Sequence, residues 1–301
     1  MVAPIALFVY NRPDHTRKTI EALIGNELAP QSRLIVFSDG PRDNKDVLLV
    51  EQVRDYISTI RGFESVSIIP SKSNKGLANS IISGVTSVLS EYDKVIVLED
   101  DLVTSPQFLR YMNNSLDFYE NDEAVISIHG YIYPVKERLP DYFFVKGADC
   151  WGWATWSRGW KIFEPDGKKL LDELERRHLL KEFDFGGTYP YSKMLRRQID
   201  GKNSSWAIRW YASAFLHEKL TLYPGMSYVQ NIGHDASGTH SRVTNHFEID
   251  KLNVKLPSVR ISIKEDIHAR QVISAYFHSI ARNPIEKLIG AQLFLWRKYW
   301  R

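Results

Sequence analysis

The sequence has a single cysteine, Cys150, among 301 residues. One cysteine excludes an internal disulfide framework and a cysteine-rich zinc site, and it fits a reducing compartment. No uninterrupted apolar run is long enough to span a bilayer. The first ten residues lack the basic segment and the small-residue cleavage site of a signal peptide. These absences predict a cytoplasmic protein.

Strong net charge and the common phosphate-binding loops are also missing. The formal net charge is +3, which is too small to indicate nucleic-acid binding by bulk electrostatics, so we expect no nucleic-acid partner. No Gly-x-Gly-x-x-Gly follows the first apolar run, and no Walker A sequence is present. These absences argue against a classical dinucleotide-binding dehydrogenase and a P-loop enzyme.

Short apolar runs alternate with helical periodicity over the first third of the chain. Runs of this length, separated by helices, predict βαβ units and a parallel sheet. The predicted strands are residues 3–10, 34–38, 66–69 and 95–98, and the predicted helices are residues 14–24, 47–60 and 76–89. The fold class is therefore α/β, with a mostly parallel central sheet flanked by helices.

The pattern is looser after about residue 125. Further strands are predicted at residues 125–129 and 142–145, a tryptophan-rich segment at 151–160, and strand and loop at 220–245. Helices are predicted at residues 168–183, 206–217 and 284–301. No linker separates the two parts, so the later elements are expected to complete the site that the first part begins.

Polar residues follow every predicted strand of the first part. They are Asn11 and Arg12, then Asp39, then Asn74, Lys75 and Gly76, and finally Glu99, Asp100 and Asp101. Open α/β sheets bind ligands at the carboxyl ends of their strands, so these residues are expected to converge on one crevice.

The three acids in a row are the strongest local signal. Carboxylates at the end of a buried strand repel each other and are costly to bury, and a divalent cation removes that cost. Mn²⁺ or Mg²⁺ bridging a diphosphate is the natural interpretation, because few protein ligands leave open positions for phosphate oxygens. The alternative is a solvated acidic turn.

These motifs together resemble the GT-A glycosyltransferases, both the bacterial family-2-like enzymes and the N-acetylglucosaminyltransferase I type. The resemblance is carried by residues 3–13, 38–40, 74–77 and 98–101, and it extends over residues 3–245. It implies a metal-dependent transferase that moves a sugar from a nucleoside-diphosphate sugar, with UDP favoured, to a glycan or lipid-linked glycan in bacterial surface polysaccharide synthesis.

The resemblance also divides the chain and assigns roles. Residues 1–245 would form the GT-A domain, with a nucleotide-sugar-binding half at 1–125 and an acceptor half at 126–245, and residues 246–301 a C-terminal helical extension. The donor would contact Asn11, Arg12, Asp39, Lys75, Gly76, Glu99 and Asp100, while Asp101 would bind the metal directly.

Two later segments resemble the acceptor side of such enzymes. Trp151, Gly152 and Trp153 would border the donor sugar and the acceptor, because aromatic faces stack on sugar rings. The alternative is a tryptophan-rich core. Residues 231–240 resemble a segment that closes over the donor, and His240 is the candidate for a further metal or diphosphate contact. His234 occupies a position at which we expect an apolar residue in the relatives.

An inverting transferase needs a general base, which relatives place on an aspartate between two tryptophans. The matching stretch, Trp206 to Trp210, has no acid. Three explanations remain. Asp149, Asp200 or Asp235 takes the role, or the enzyme is retaining, or the register of the comparison is wrong. An inverting enzyme is our prediction.

Two other functions and one surface contact stay open. A sugar nucleotidyltransferase shares the sheet and the metal carboxylates, and a non-catalytic sugar-binding protein with a degenerate transferase fold would explain the missing base. Residues 284–301 interleave aromatic and basic side chains, which predicts peripheral contact with the inner face of the plasma membrane. The alternative is a helix packed on the body of the protein or on a second subunit.

Overall fold

The computed structural model describes residues 2–235, 245–257 and 260–282. Its centre is an eight-stranded mixed sheet, accompanied by a two-stranded ribbon. The strands are β1 (Ile5–Val9), β2 (Arg33–Ser38), β3 (Ser65–Pro70), β4 (Lys94–Glu99), β5 (Leu102–Thr104), β6 (Val125–His129), β7 (Tyr142–Lys146), β8 (Trp153–Trp156), β9 (Leu220–Pro224) and β10 (Val229–Asn231).

The strand order in the large sheet is β3-β2-β1-β4-β8-β6-β9-β7. The first four of these strands are mutually parallel. Strand β8 pairs antiparallel with both β4 and β6, so β6 and its parallel neighbour β9 run with the first four, while β7 is reversed. The predicted α/β class with a mostly parallel sheet is confirmed.

Helices cover both faces of this sheet. They are α1 (Pro13–Ile24), α2 (Asn44–Ser58), α3 (Leu77–Glu91), α4 (Phe108–Phe118), α5 (Ser157–Trp160), α6 (Gly167–Arg176), α7 (Leu180–Phe183), α8 (Tyr191–Ile199), α9 (Ala207–Leu216) and α10 (Ile267–Arg282). Pro13 stands at the first position of α1, where its missing N–H costs no helical hydrogen bond.

Strand β1 shows why the sheet needs two covers. All five of its residues are buried, and successive side chains point to opposite faces. Leu7 belongs to the core that includes residues of α1, α2 and α4, whereas Phe8 belongs to the core that includes residues of α3 and α9. A strand buried on both faces reads as a continuous apolar run, which is the pattern that predicted it.

A third core joins the later helices to the end of the chain. Residues of α6, α8 and α9 pack there with Ile273 and Phe277 of α10. Phe247 and Ile249, which precede α10, pack against the core beside α1, α2 and α4. The segments at 245–257 and 260–282 therefore rest on the same body as the sheet.

One predicted helix is wrong in its extent. Residues 168–183 form two helices, because His178 adopts φ 56° and ends α6. The N–H of Leu179 then reaches back to the carbonyl of Leu174 at 2.9 Å, as in a Schellman-type helix end. The tryptophan-rich segment also contains a strand, β8, which apolar alternation did not reveal.

Only part of the chain could be examined for a helix that spans a membrane. Across residues 2–235, 245–257 and 260–282, no helix is long and apolar enough to cross a bilayer. The predicted helix at residues 284–301 lies outside the described residues.

His129 ends β6 as a buried histidine. Its Nε2 accepts the backbone N–H of Trp151 at 3.1 Å. Burial lowers the pKa of His129 from 6.5 to about 3. Only the unfolded chain therefore takes up a proton on this ring as the pH falls below 6.5, so protonation favours unfolding.

We expect the free energy of unfolding to decrease as the pH falls from 6.5 toward 4. His129→Gln should remove up to about 1.4 kcal/mol per pH unit of that decrease, because the unfolded variant no longer gains the proton. Urea denaturation at a series of pH values measures this slope. His217→Gln, at an exposed position, is the control for replacing a histidine by glutamine. An unaltered slope in His129→Gln would contradict the assignment.

Candidate functional site

The loops after the four parallel strands β1 to β4 meet at one edge of the sheet, as the sequence predicts. Arg12, from the β1 loop, contacts Asp100 and Asp101 after β4. Asp39, after β2, contacts Lys75 and Gly76 of the loop that follows β3. Two separate clusters of contacts therefore join the four loops in pairs.

The Asp39 carboxylate is an anchor for the β3–α3 loop. Its Oδ1 accepts the N–H groups of Gly40 and Lys75, both at 2.9 Å. Its Oδ2 accepts the N–H of Gly76 at 2.9 Å and the Asn74 side-chain amide at 3.2 Å. Because Asp39 is buried and both oxygens are engaged, its evident task is to shape the loop.

The same two loops touch through Gly40. A Cβ atom added there would lie 2.6 Å from the carbonyl carbon of Ser73, so no larger residue fits without backbone movement. Arg54, from α2, donates to the carbonyls of Asp39 at 3.3 Å and Ser71 at 2.7 Å. These contacts fix the ends of β2 and β3 against each other.

Arg12 neutralises part of the acidic motif. Its Nη2 donates to Oδ1 of Asp100, and to Oδ2 of Asp101 at 3.0 Å. Burial alone would lower the pKa of Arg12, but the charges of the two carboxylates outweigh burial and raise the pKa. The guanidinium is therefore firmly charged.

Burial and the neighbouring carboxylates disfavour the charged forms of Glu99 and Asp100. Burial, reinforced by Asp101 and Asp100, raises the pKa of Glu99 to about 8. Burial also raises the pKa of Asp100, although Arg12 opposes it. The buried Oδ2 of Asp100 has no hydrogen-bond partner within the described part of the chain.

This donor set fits a divalent cation of the oxygen-preferring kind. Asp100 offers an unpartnered buried oxygen, and Asp101 lies beside it. Within the described residues, however, no group of three or more His, Cys, Asp or Glu side chains could hold a metal. The described protein would thus supply few ligands, and water or ligand oxygens would complete the shell.

Residues 232–235, which follow β10 and form the covering segment, lie over the acidic motif. Strand β10 pairs with β5, and the N–H of Ile232 donates to the carbonyl of Asp101 at 2.9 Å. A Cβ on Gly233 would lie 2.1 Å from Oδ2 of Asp101, so the backbone approaches that carboxylate directly. The sequence prediction included this segment but missed Gly233. The signal available in the sequence was the glycine itself, which stands between Ile232 and His234.

The far end of the segment is held by α1. His15 lies 3.3 Å from the carboxylate of Asp235 and 3.3 Å from the carbonyl of Ile232, measured from its Nε2. His15 was also missed, although it stands three residues after Arg12, on the same face of a helix.

Asn11 is engaged within the protein. Its side-chain amide donates to Asp46 at 2.8 Å, and the Tyr10 hydroxyl donates to the same carboxylate at 2.6 Å. The hydrogen bond from Tyr10 is the largest influence that lowers the pKa of Asp46. Asn11 therefore ties the β1 loop to the first turn of α2.

The tryptophan-rich segment divides between core and site. Trp153 is fully buried, and its ring packs 5.4–5.8 Å from those of Trp160, Trp206 and Trp210. The prediction that Trp153 borders a sugar is therefore wrong, because its ring is enclosed by other indoles.

Trp151 and Gly152 lie closer to the covering segment. Trp151 is half-buried, with ring centroids 5.3 Å from His234 and 5.4 Å from Phe247. Gly152 is buried, and its carbonyl accepts the N–H of Gly130 at 2.7 Å. Of the three residues, Trp151 alone is partly exposed.

The three candidate bases differ in their surroundings. Oδ2 of Asp149 accepts the hydroxyls of Tyr133 at 3.0 Å and Tyr223 at 2.9 Å, and burial raises the pKa of Asp149. No described residue hydrogen-bonds its Oδ1. Asp200 is exposed and pairs with Lys202 at 2.8 Å.

Asp235 is also exposed, beside His15. His240 lies outside the described residues, so its expected metal or diphosphate contact stays a prediction. Helix α9 begins at Ala207, and Ile208 is buried in a core, so this turn offers no acid of its own.

Comparisons with known proteins identify a family. The family model described as glycosyl transferase family 2 matches residues 5–202. A search of curated proteins finds no match.

Several solved structures are similar at low identity. PcManGT, a mannosyltransferase from Pyrobaculum calidifontis in complex with GDP-Man and Mn²⁺, has 12% identity and a TM-score of 0.33, covering 44% of this chain and 37% of its own. S. aureus TarS 1-349 has 10% identity and a TM-score of 0.40, covering 75% and 59%. UDP-glucose pyrophosphorylase complexed with UDP-glucose has 10% identity and a TM-score of 0.39, covering 74% and 90%. The chain thus spans less than two thirds of the first two.

We expect Asp39→Asn to destabilise the fold by about 2 kcal/mol, because an amide would set N–H groups against the donors that Oδ2 now accepts. Urea denaturation measures the change. Asp43→Asn is the matched control. Asp43 is exposed and caps α2 through one bond to the N–H of Lys45, and asparagine caps equally well. Equal stability of the two variants would contradict the anchoring role.

Proposed function

The chain belongs to glycosyl transferase family 2, which has the GT-A fold, and on that premise we propose that it is a metal-dependent enzyme that glycosylates a glycan or lipid-linked glycan. Transfer of a sugar from a nucleotide sugar is the activity of this family. The finer proposal adds the metal, the acceptor class and the residues that act. One observation supports it most: Arg12 and three carboxylates meet at the carboxyl edge of the parallel strands.

Asp100 and Asp101 are the residues that would hold Mn²⁺ or Mg²⁺. A bound divalent cation would offset charge on the diphosphate leaving group. Arg12 lies in contact with both acids and provides a second positive charge at the same edge. In this proposal Glu99, at the end of β4, faces the donor and accepts hydrogen bonds from hydroxyl groups of the sugar or ribose.

The donor is a nucleoside-diphosphate sugar, with UDP favoured. The loop from Asn74 to Gly76, anchored on Asp39, forms one wall of its site. On the other side, the partly exposed residue Trp151 would offer its ring to a sugar. The covering segment at Gly233 closes the site above Asp101 and keeps bulk water away from the reacting groups.

Asp149 is the base that we propose for an inverting reaction. Both tyrosine hydroxyls bond Oδ2, so Oδ1 is left to accept the proton of an acceptor hydroxyl. Its raised pKa makes it a stronger proton acceptor than an ordinary carboxylate. Asp200 is the weaker candidate, because its hydrogen bond to Lys202 lowers its pKa.

The cellular setting follows from the acceptor class. A lipid-linked acceptor in surface polysaccharide synthesis would place the enzyme at the inner face of the plasma membrane. The aromatic and basic residues at 284–301 suit such a peripheral contact, and these residues are among those that the structure does not describe.

A panel of nucleotide sugars, assayed with and without Mn²⁺, tests the function directly. A transferase releases nucleoside diphosphate, whereas a nucleotidyltransferase makes or consumes pyrophosphate. Binding without any turnover would favour the non-catalytic alternative. Turnover that is equal after chelation of divalent cations would refute the metal requirement.

Asp101→Ala should abolish transfer and weaken Mn²⁺ binding by more than about tenfold, since a direct ligand is lost. The stability of the fold should stay within about 1 kcal/mol of the wild type, because losing the Arg12 ion pair is balanced by relieved repulsion with Asp100. Calorimetric titration and urea denaturation measure the two effects. Asp117→Ala removes an exposed acid and is the control. A fully active Asp101→Ala enzyme would refute the role of Asp101 as a metal ligand.

Asp149→Asn should lower turnover by about 100-fold or more while donor affinity changes by less than about twofold. Wild-type turnover should fall as the pH drops through the raised pKa of Asp149, because the base must be deprotonated. Asp200→Asn and Asp235→Asn are the comparison variants. Product anomericity by NMR is an independent check, and retention of the donor configuration would exclude the base role.

A further inference from the structure

A surface cavity lies between the first turn of α3 and the chain from α8 to α9. Its volume is about 520 Å³. It is lined by Ala78, Asn79, Gln198, Gly201, Lys202, Asn203, Ser204 and Arg209. None of the roles proposed above uses these side chains.

The lining carries positive charge alone. Lys202 and Arg209 are cationic, and no acid is among the lining residues. Asp200, two residues before Lys202, pairs with it at 2.8 Å, and the two side chains are 50% and 59% exposed in that pair. An exposed pair of this kind is weak and yields readily to a competing anion.

Several hydrogen-bond donors of the cavity have no protein acceptor in the described part of the chain. Arg209 donates through Nε to the carbonyl of Ser205 at 3.2 Å and through Nη1 to that of Pro165 at 3.0 Å. Its Nη2 is left without an acceptor, and so is the Ser204 hydroxyl, whereas the unpartnered buried atom of Gln198 is its acceptor oxygen Oε1. Arg209 is held in place by backbone oxygens while one edge of its guanidinium stays available.

The cavity adjoins the wall of the proposed donor site. Ala78 and Asn79 belong to the helical turn that begins directly after Gly76. The side-chain amide of Asn79 donates to the carbonyl of Lys75 at 2.9 Å. A group bound there would therefore lie beside the loop that Asp39 anchors.

We propose that this cavity binds an anionic group of the acceptor, a phosphate or a carboxylate. The proposal rests on the transferase function above, because it assigns the cavity to the second substrate. Two cations, free donors and the absence of lining acids select an anion over a neutral sugar. The open form of the site admits one group of a larger molecule.

Calorimetric titration of the full chain with inorganic phosphate, glucuronate and glucose tests the proposal. Phosphate, glucuronate or both should bind, and glucose should not. Phosphate binding alone indicates a phosphorylated acceptor, and glucuronate binding alone indicates an acidic sugar. Failure of both anions, or equally tight binding of glucose, would overturn the proposal.

Lys202→Gln should weaken anion binding by about tenfold, and Arg209→Lys should also weaken it, because lysine keeps the charge but loses the planar fork. Lys193→Gln, which removes an exposed charge of α8 outside the cavity, is the control and should bind the anions as the wild type does. An equal loss in Lys193→Gln would mean general surface attraction and would refute a site.

UDP with Mn²⁺, titrated into the same variants, separates this proposal from the proposed function. Its affinity should be unchanged in Lys202→Gln. An equal loss of UDP affinity would assign the cavity to the donor and overturn the acceptor proposal. If neither UDP nor any other nucleotide of the donor panel binds the wild type while phosphate binding depends on Lys202, the anion site stands and the proposed function fails.

Discussion

The repulsion among three carboxylates at the end of β4 is the constraint around which the site is arranged. A buried strand delivers Glu99, Asp100 and Asp101 to one place, and burial makes their charges costly. Arg12 offsets part of that charge from the neighbouring strand. The remainder makes this edge of the sheet receptive to cations, and the strand that carries it is buried in a hydrophobic core on each face.

The polar residues around this edge fall into two groups. Asp39, Asn11 and Arg54 are engaged by backbone or side-chain partners, and they set the shapes of the loops. Asp100 and Asp149 each keep an oxygen without a partner among the described residues. The first group holds the loops of the site in place. The second group provides oxygen atoms that can bind or react with a substrate. Precise positioning of substrates requires both.

Sequence patterns predicted the parallel strands and their polar ends, because a strand buried on both faces has a continuous apolar run and its direction fixes where the run ends. They could not separate Trp151 from Trp153, since composition says nothing about which indole is enclosed. The roles of Asp39 depend on bonds to backbone N–H groups, which leave no trace in side-chain identity. The break at His178 was hidden for a similar reason, because a left-handed residue other than glycine gives no compositional signal.

The ribbon of β5 and β10 has a mechanical consequence. Since the N–H of Ile232 donates to the carbonyl of Asp101 and Gly233 lies against its carboxylate, the covering segment and the acid are in direct contact at two points. Lifting the cover pulls on the backbone that carries the acid. Entry of a molecule beneath the covering segment would therefore reorient Asp101 at the same time. Access to the site and the orientation of this carboxylate would change together and not independently.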